Sequence, residues 1–158
     1  MKVSSDLEKF IFDHRELIDR NDFEELYELL VANRIPAEHI TDFTILMYAA
    51  GINVTRYLSY IPRYFFSHTE EIINTTIPEN IKSIHSYAFI DCPHITRIDV
   101  KSKSIEFDAY SITNCHVKTL VLPKDTYMNI DTFRSEFFRT QVSKIDEIII
   151  ETNDSFET

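Results

Sequence analysis

Hydrophobic residues recur three to four positions apart in the first part of the chain, which predicts amphipathic helices. The first predicted helix is capped by Asp6, and one of its faces carries Leu7, Phe10, Ile11, His14, Leu17 and Ile18. A second helix is predicted from Phe23, because Asp22 can open it and acidic residues in its first turn complement the helix dipole. The N-terminal part is therefore predicted to be helical.

Proline and glycine set the limits of a third predicted helix. Pro36 interrupts the helical pattern, and Thr41 is expected to cap a segment that runs from Ile45 to Ala50. Gly51 comes next, at the position where a helix end favours a left-handed residue. Residues 57–66 are rich in aromatic side chains and contain a proline, so they predict a short helix or a turn that packs on the next segment of the chain.

Beyond residue 70 the helical spacing ends and a repeat with β-branched residues begins. Alternate apolar positions recur in Ile95-x-x-Ile98-x-Val100, Val117-x-x-Leu120-x-Leu122 and Ile145-x-x-Ile148-x-Ile150, with a degraded copy at Ile72-x-x-Thr75-x-Ile77. In chain order, successive copies are 23, 22 and 28 residues apart. A second set of repeated positions aligns the segment from Tyr87 to Cys92 with the segment from Tyr110 to Cys115. One copy cannot bury its own apolar face, so stacked copies predict a solenoid of short strands.

One stretch of the repeat resembles a known family. Residues 77–100 read IPENIKSIHSYAFIDCPHITRIDV, which looks like the BspA-type leucine-rich repeat in its Ile-Pro start, its Ala-Phe pair and its cysteine before the next strand. The resemblance covers about residues 72–151 and is weaker in the later copies. His85 and Asp108 stand where that family usually has glycine. The resemblance implies a curved parallel sheet that binds other proteins, with no particular partner and no catalysis.

Together these patterns predict an α+β protein with two parts. Residues 1–70 are predicted to form a helical N-terminal cap. Residues 71–158 are predicted to form a short leucine-rich-repeat-like parallel β solenoid with a C-terminal cap.

Composition excludes several classes of function. The chain has 158 residues and one glycine, so it cannot supply the glycines of a phosphate-binding GxxxxGK[ST] or GxGxxG loop, or of a GxSxG nucleophile elbow. No catalytic residue and no cofactor is predicted. The N-terminal residues lack the pattern of a secretory signal, and two cysteines are too few for a disulfide framework. A cytoplasmic location is therefore expected.

Charge narrows the choice of partners. The chain carries 26 acidic and 16 basic residues, a formal net charge of −10. Within residues 1–42 there are 11 acidic and 5 basic residues, so that segment alone carries 5 − 11 = −6. Direct binding to nucleic acid or to an anionic membrane is disfavoured, because both need clustered cations.

Cysteine and histidine suggest one metal site to be weighed against a structural role. Cys92, His94, Cys115 and His116 lie one repeat apart and are of the types that zinc prefers. An adjacent Cys-His pair tends to point to opposite sides, however, and structural zinc ligands usually lie two to four residues apart. The favoured interpretation is that both cysteines are small core residues, so no metal is predicted.

The repeat itself indicates a surface for a partner protein. Residues between the inward-facing positions stack in columns on the outer face of the predicted sheet. The predicted partner-binding residues on that face are Asn74, Thr96, Arg97, Asp99, Lys118, Thr119, Val121, Glu147 and Ile149. We expect a non-catalytic interaction protein. A further hypothesis is that it comes from a phage or mobile element and binds a host protein or defence complex.

Two alternatives concern other surfaces. In the first, Glu24, Glu25 and Glu28 form an acidic patch that mimics nucleic acid and occupies a basic groove on a nucleic-acid-binding protein. In the second, the last strand, apolar on both faces, pairs with a second copy to form a homodimer. The competing hypothesis is that residues 131–139, which include Phe133, Phe137 and Phe138, cover that strand within the same chain.

Overall fold

A computed structural model of the chain describes residues 4–68, 74–103, 105–108, 110–112, 114–124 and 147–150. Within these ranges the helices are α1 (Ser5–Asp13), α2 (Arg15–Asp19), α3 (Phe23–Ala32) and α4 (Ala37–Ala49), followed by a 3-10 helix at Val54–Tyr57. The strands are β1 (Tyr60–Ile61), β2 (Asn74–Ile77), β3 (Ser83–Ile84), β4 (Arg97–Val100), β5 (Glu106–Phe107), β6 (Thr119–Leu122) and β7 (Glu147–Ile150). This combination of helices and parallel strands is that of an α+β protein, as predicted.

The first helix begins earlier than the sequence pattern predicted and is shorter. Ser4, not Asp6, is the N-cap, since the Ser4 hydroxyl accepts a hydrogen bond of 3.1 Å from the Leu7 amide. The helix then ends at Asp13, because the next residue, His14, has a non-helical φ of −119°, and α2 begins as a separate element. Asp6 instead lies in the first turn of α1, where its charge complements the helix dipole.

The third predicted helix is longer than expected. α4 begins directly after Pro36, so Thr41 lies inside the helix and does not cap it. Pro36 separates α3 from α4, and Gly51 has the left-handed φ of 84° that its position predicted. The amides of Gly51 and Ile52 bond to the last turn of α4, which satisfies carbonyl groups that would otherwise lack partners.

The strands form two parallel sheets. One has the order β1-β3-β5 and the other has the order β2-β4-β6-β7, so consecutive strands from β1 to β6 alternate between the two sheets. β1 lies within the segment predicted to belong to the helical cap. The predicted boundary at residue 70 falls among residues 69–73, which lie outside the described ranges.

One hydrophobic core joins the helices to the strands. Its fully buried members from the helices include Leu26, Tyr27 and Phe43. Its members from the later part of the chain include Phe89, in the turn between β3 and β4, and Ile98 in β4. We call residues 5–57 the helical region and the described residues from 60 to 150 the repeat region; apolar side chains of both pack into this single core.

Candidate protein-binding surfaces

The outer face of the four-stranded sheet carries rows of residues in register. One row runs across the sheet through Asn74, Arg97, Thr119 and Glu147, and a second runs through Thr76, Asp99, Val121 and Ile149. The spacing of the repeat motif predicts the same rows. The register arises from parallel pairing of strands that repeat along the chain.

Exposure differs among the residues predicted to bind a partner on this face. Arg97, Lys118 and Glu147 are exposed, whereas Thr96, Asp99, Thr119 and Ile149 are partly buried. Arg97 forms an ion pair with Asp99, with 3.0 Å between Nε and Oδ2. The Thr119 hydroxyl donates a hydrogen bond of 3.4 Å to the Glu147 carboxylate. The face is thus polar, and part of its charge is neutralised internally.

Val121 differs from the rest of this predicted surface. Its side chain is only 2% exposed, although its place in the row puts it on the face opposite to the inward-facing Leu120 and Leu122. A partner cannot reach a side chain that is already buried, so Val121 does not contribute to the accessible part of this face.

The predicted acidic patch on α3 is partly used within the protein. The Glu24 carboxylate accepts hydrogen bonds from the amide and the hydroxyl of Ser59, both at 2.5 Å. The Glu28 carboxylate accepts a hydrogen bond of 3.1 Å from the Tyr60 hydroxyl. Burial, together with the nearby Glu28 charge, raises the pKa of Tyr60, so this hydroxyl remains a donor. Two of the three carboxylates therefore attach α3 to the segment around β1, and the third, Glu25, is exposed.

A row of tyrosines forms a surface that the sequence prediction missed. The rings of Tyr64 and Tyr87 lie 6.2 Å apart between centroids with 9° between their planes, and those of Tyr87 and Tyr110 lie 6.2 Å apart with 13°. The Tyr64 amide donates to the Tyr87 carbonyl at 3.2 Å, and the Tyr87 amide donates to the Tyr110 carbonyl at 3.1 Å. We call these three residues the tyrosine ladder.

The backbone of the tyrosine ladder is unusual. Tyr64, Tyr87 and Tyr110 have φ values of 63°, 62° and 63°, in the left-handed region that bulky residues seldom adopt. His85 and Asp108, at the positions where the resemblance noted in the sequence predicts glycine, are not among the described residues with positive φ. The tyrosines are therefore among the strained positions of this repeat, and the turn at His85 needs no glycine.

A groove adjoins the ladder. It has a volume of about 310 Å³ and is lined by Tyr27, Glu28, Val31, Ala32, Tyr60, Pro62, Arg63 and His85. The Arg63 guanidinium lies 5.7 Å from the centroid of the Tyr64 ring and 5.6 Å from that of Tyr87, so it connects the groove with the ladder. Tyr60 and His85 stack at 4.3 Å within it. Tyrosine and arginine supply much of the binding energy at protein interfaces, and they do so where they pack into concave apolar sites.

Cysteine and histidine are not assembled into a metal site in the described ranges, where no group of three or more potential ligands occurs. The thiols of Cys92 and Cys115 each donate to a backbone carbonyl of the preceding repeat. The neighbouring Cys92 side chain, together with burial, raises the pKa of Cys115. His94 and His116 are exposed. Protonated, largely buried thiols are poor zinc ligands and poor nucleophiles.

The 23-residue spacing could have revealed the whole ladder. The repeat pattern aligns Tyr87 with Tyr110. Tyr64 is harder to recognise as a member of the same series, because it lies in an aromatic segment, residues 57–66, directly before Phe65 and Phe66. Phe65 and Phe66 are buried, at 1% and 6% exposure. Tyr64 instead lies 23 residues before Tyr87 and continues the row.

A comparison with protein families finds the repeat. A family profile described as the BspA type leucine rich repeat region, with 6 copies, matches residues 43–155, well over half of the chain. No curated protein and no solved structure matches significantly. Separately, no helix within the described ranges is long and apolar enough to cross a bilayer.

Proposed function

Because the chain belongs to the BspA-type leucine-rich repeat family, we propose that it is a non-catalytic module that binds another protein. Repeats of this kind generally act in protein–protein interaction, and stacked units provide extended surfaces for it. The observation that carries the proposal is the tyrosine ladder with Arg63 across it. Tyrosine and arginine supply much of the binding energy where proteins meet.

The architecture proposed for this role is a short solenoid closed at one end by the helices. The two parallel sheets are taken as its walls, and the helical region as its N-terminal cap. The shared hydrophobic core and the hydrogen bonds from Ser59 and Tyr60 to α3 support that arrangement. A rigid support of this kind favours binding, because little conformational entropy is lost when a partner docks.

A partner is proposed to contact the ladder and the adjoining groove. Tyr64 and Tyr87 are half-buried and Tyr110 is 46% exposed, and because stacking covers the ring faces inside the row, we expect ring edges and hydroxyl groups to meet a partner. Such edges suit a protein surface that offers hydrogen-bond acceptors beside apolar groups. The outer face of the four-stranded sheet, with Arg97 and Lys118, is kept as a second proposed surface.

The experiment is affinity capture with the purified chain as bait, followed by measurement of binding to the identified partner. Tyr110→Ala is expected to weaken binding by about tenfold or more, as for a hot-spot aromatic residue. Phe12→Ala is the matched control, because Phe12 is an aromatic residue that is 66% exposed at α1. Equal binding by the wild type and Tyr110→Ala would exclude the ladder as the interface.

The same partner distinguishes the other surfaces. Arg97→Glu and Lys118→Glu reverse charge on the sheet face and weaken binding if that face is used. Glu25→Arg is the informative change for nucleic-acid mimicry, because Glu24 and Glu28 also hold the fold together. Mimicry further requires that binding falls steeply as salt is raised.

The nature of the partner is a separate part of the proposal. An origin in a phage or mobile element, a host protein or defence complex as target, and a cytoplasmic location rest on the sequence interpretation alone. Identification of the captured protein tests the proposed target. Pairing of two copies through β7 is tested by the molecular mass in solution.

A further inference from the structure

A second pocket lies away from the tyrosine ladder, at the turns after β2 and β4. It has a volume of about 340 Å³ and is lined by Glu79, Lys82, Lys101, Ser102 and Lys103. We call it the lysine pocket. Its lining carries three positive charges and one negative charge, in a chain whose net charge is −10. Such a local excess of positive charge opposes the overall charge of the protein.

The backbone holds these residues together. The Lys101 amide donates a hydrogen bond of 2.8 Å to the Ile77 carbonyl, and the Glu106 amide donates one of 3.0 Å to the Lys82 carbonyl. These bonds join successive repeats on both sides of the turn. Lys82 from one repeat is therefore fixed beside residues 101–103 from the next.

Ser102 is the second observation that indicates a ligand. The residue is 1% exposed, and its buried hydroxyl has no hydrogen-bond partner among the residues that the structure describes. Buried hydroxyl groups nearly always have a partner, which is often a water or an ion. In the preceding turn, by contrast, the Asn80 side chain donates to the carbonyls of Thr55 and Leu58, both at 2.7 Å.

We propose that the lysine pocket binds a phosphate group. Three ammonium groups and one hydroxyl are all hydrogen-bond donors, which suits the oxygens of a tetrahedral dianion better than the two oxygens of a carboxylate. The acidic remainder of the surface does not prevent this, because salt screens charges beyond about 8–10 Å. This site does not depend on the protein-binding proposal.

The test uses the full chain and two probes. Inorganic phosphate and a short phosphoserine peptide are titrated separately at constant ionic strength, and backbone amide shifts are followed by NMR. Saturable shifts at residues 101–103 and 82 are expected with phosphate and not with the same concentration of chloride. Tighter binding of the peptide identifies the phosphate of a phosphorylated protein as the ligand, and equal binding identifies the free anion.

Variants separate a built site from general attraction to lysine. Lys101→Gln and Ser102→Ala are each expected to raise the dissociation constant for phosphate by about tenfold, since each removes a strong donor. Lys118→Gln is the matched control, because this exposed lysine precedes β6 at the opposite ends of the strands. The proposal is overturned if Lys118→Gln weakens binding as much as Lys101→Gln, or if the amide shifts spread over all lysines.

Discussion

The helical region and the repeat region share one hydrophobic core, but they make their specific contacts in different ways. Contacts in the helical region occur once each, as when the Tyr27 hydroxyl lies 2.6 Å from the Thr44 hydroxyl. Contacts in the repeat region recur, as when Tyr64, Tyr87 and Tyr110 share nearly the same φ value and one spacing. A recurring contact is therefore visible in sequence, whereas a single contact is not.

The greatest loss of stability is expected from variants that test whether the two regions unfold together. Phe43 lies in the helical region and Phe89 in the repeat region, and both are fully buried in the common core. Phe43→Ala and Phe89→Ala are each expected to lower the free energy of unfolding by about 3–5 kcal/mol. Because the core is shared, urea unfolding followed by circular dichroism should show one transition for both variants.

A matched control accompanies this test. Phe12→Ala removes an aromatic ring that is 66% exposed, so the free energy of unfolding should change by no more than about 0.5 kcal/mol. Two separate transitions, of which each variant shifts only one, would contradict a common core.

A smaller loss is expected where the two regions meet. The Thr41 hydroxyl lies 2.6 Å from the Ser67 hydroxyl and donates to the Tyr64 carbonyl at 2.9 Å. Thr41→Val should therefore cost about 1–3 kcal/mol and speed amide hydrogen exchange in residues 64–68.

Thr44→Val provides the comparison within the helical region. It leaves the buried Tyr27 hydroxyl without that partner, so a similar loss of stability is expected. In Thr44→Val, amide hydrogen exchange in residues 64–68 should become faster only by the amount that the loss of global stability explains. If both variants speed that segment equally, Thr41 is not a specific link between the regions.

Replacing a residue of left-handed φ by glycine is expected to change the stability of the protein in opposite directions in the two regions. Arg34, with φ of 57°, is exposed after α3, and its amide and that of Ile35 bond to the last helical turn. Arg34→Gly is expected to stabilise the protein by about 1 kcal/mol, because glycine adopts this conformation without strain.

Tyr87→Gly relieves the same backbone strain but removes two ring contacts from the ladder. Each such contact contributes about 0.5–1.5 kcal/mol, so after about 1 kcal/mol of relieved strain the net effect should be a loss of up to about 2 kcal/mol. Thermal unfolding of both variants measures the difference. A stabilised Tyr87→Gly variant would show that the rings do not compensate for the strain.

The weakest effect concerns charge in the helical region. Burial raises the pKa of Asp42 in α4, and the nearby Glu38 adds to the shift while His39 opposes it. The folded state then holds this proton more tightly than the unfolded state, so stability falls as pH rises through the carboxyl range. Asp42→Asn should raise the Tm at pH 7, and this gain should vanish near about pH 3. A difference that does not change with pH would contradict this cause.

Several elements were predictable because a local rule determined them. Gly51 ends α4 in the left-handed conformation, as a lone glycine after a helical segment indicates. Ser4 was missed as the cap of α1 because Asp6 is an equally acceptable capping residue. The rows across the four-stranded sheet were predictable from motif spacing, since parallel repeats stack in register.

Other features depended on contacts between segments that share no pattern. Alternation along β6 predicted an outward Val121, yet that side chain is buried. The hydrogen bonds of Glu24 and Glu28 to the segment around β1 cannot be inferred from α3 alone. The lysine pocket combines Lys82 with residues 101–103, which do not occupy equivalent places in their repeats, so spacing could not have assembled it.

The regular spacing of the tyrosine ladder also bears on how such a surface can evolve. Each 23-residue unit adds one ring, 6.2 Å from its neighbour and joined to it by the same backbone hydrogen bond. Duplication or deletion of one unit would lengthen or shorten the row by a fixed step and leave the other rings in place. The number of units thus sets the length of the contact surface. That length can change by whole units during evolution while each existing contact stays the same.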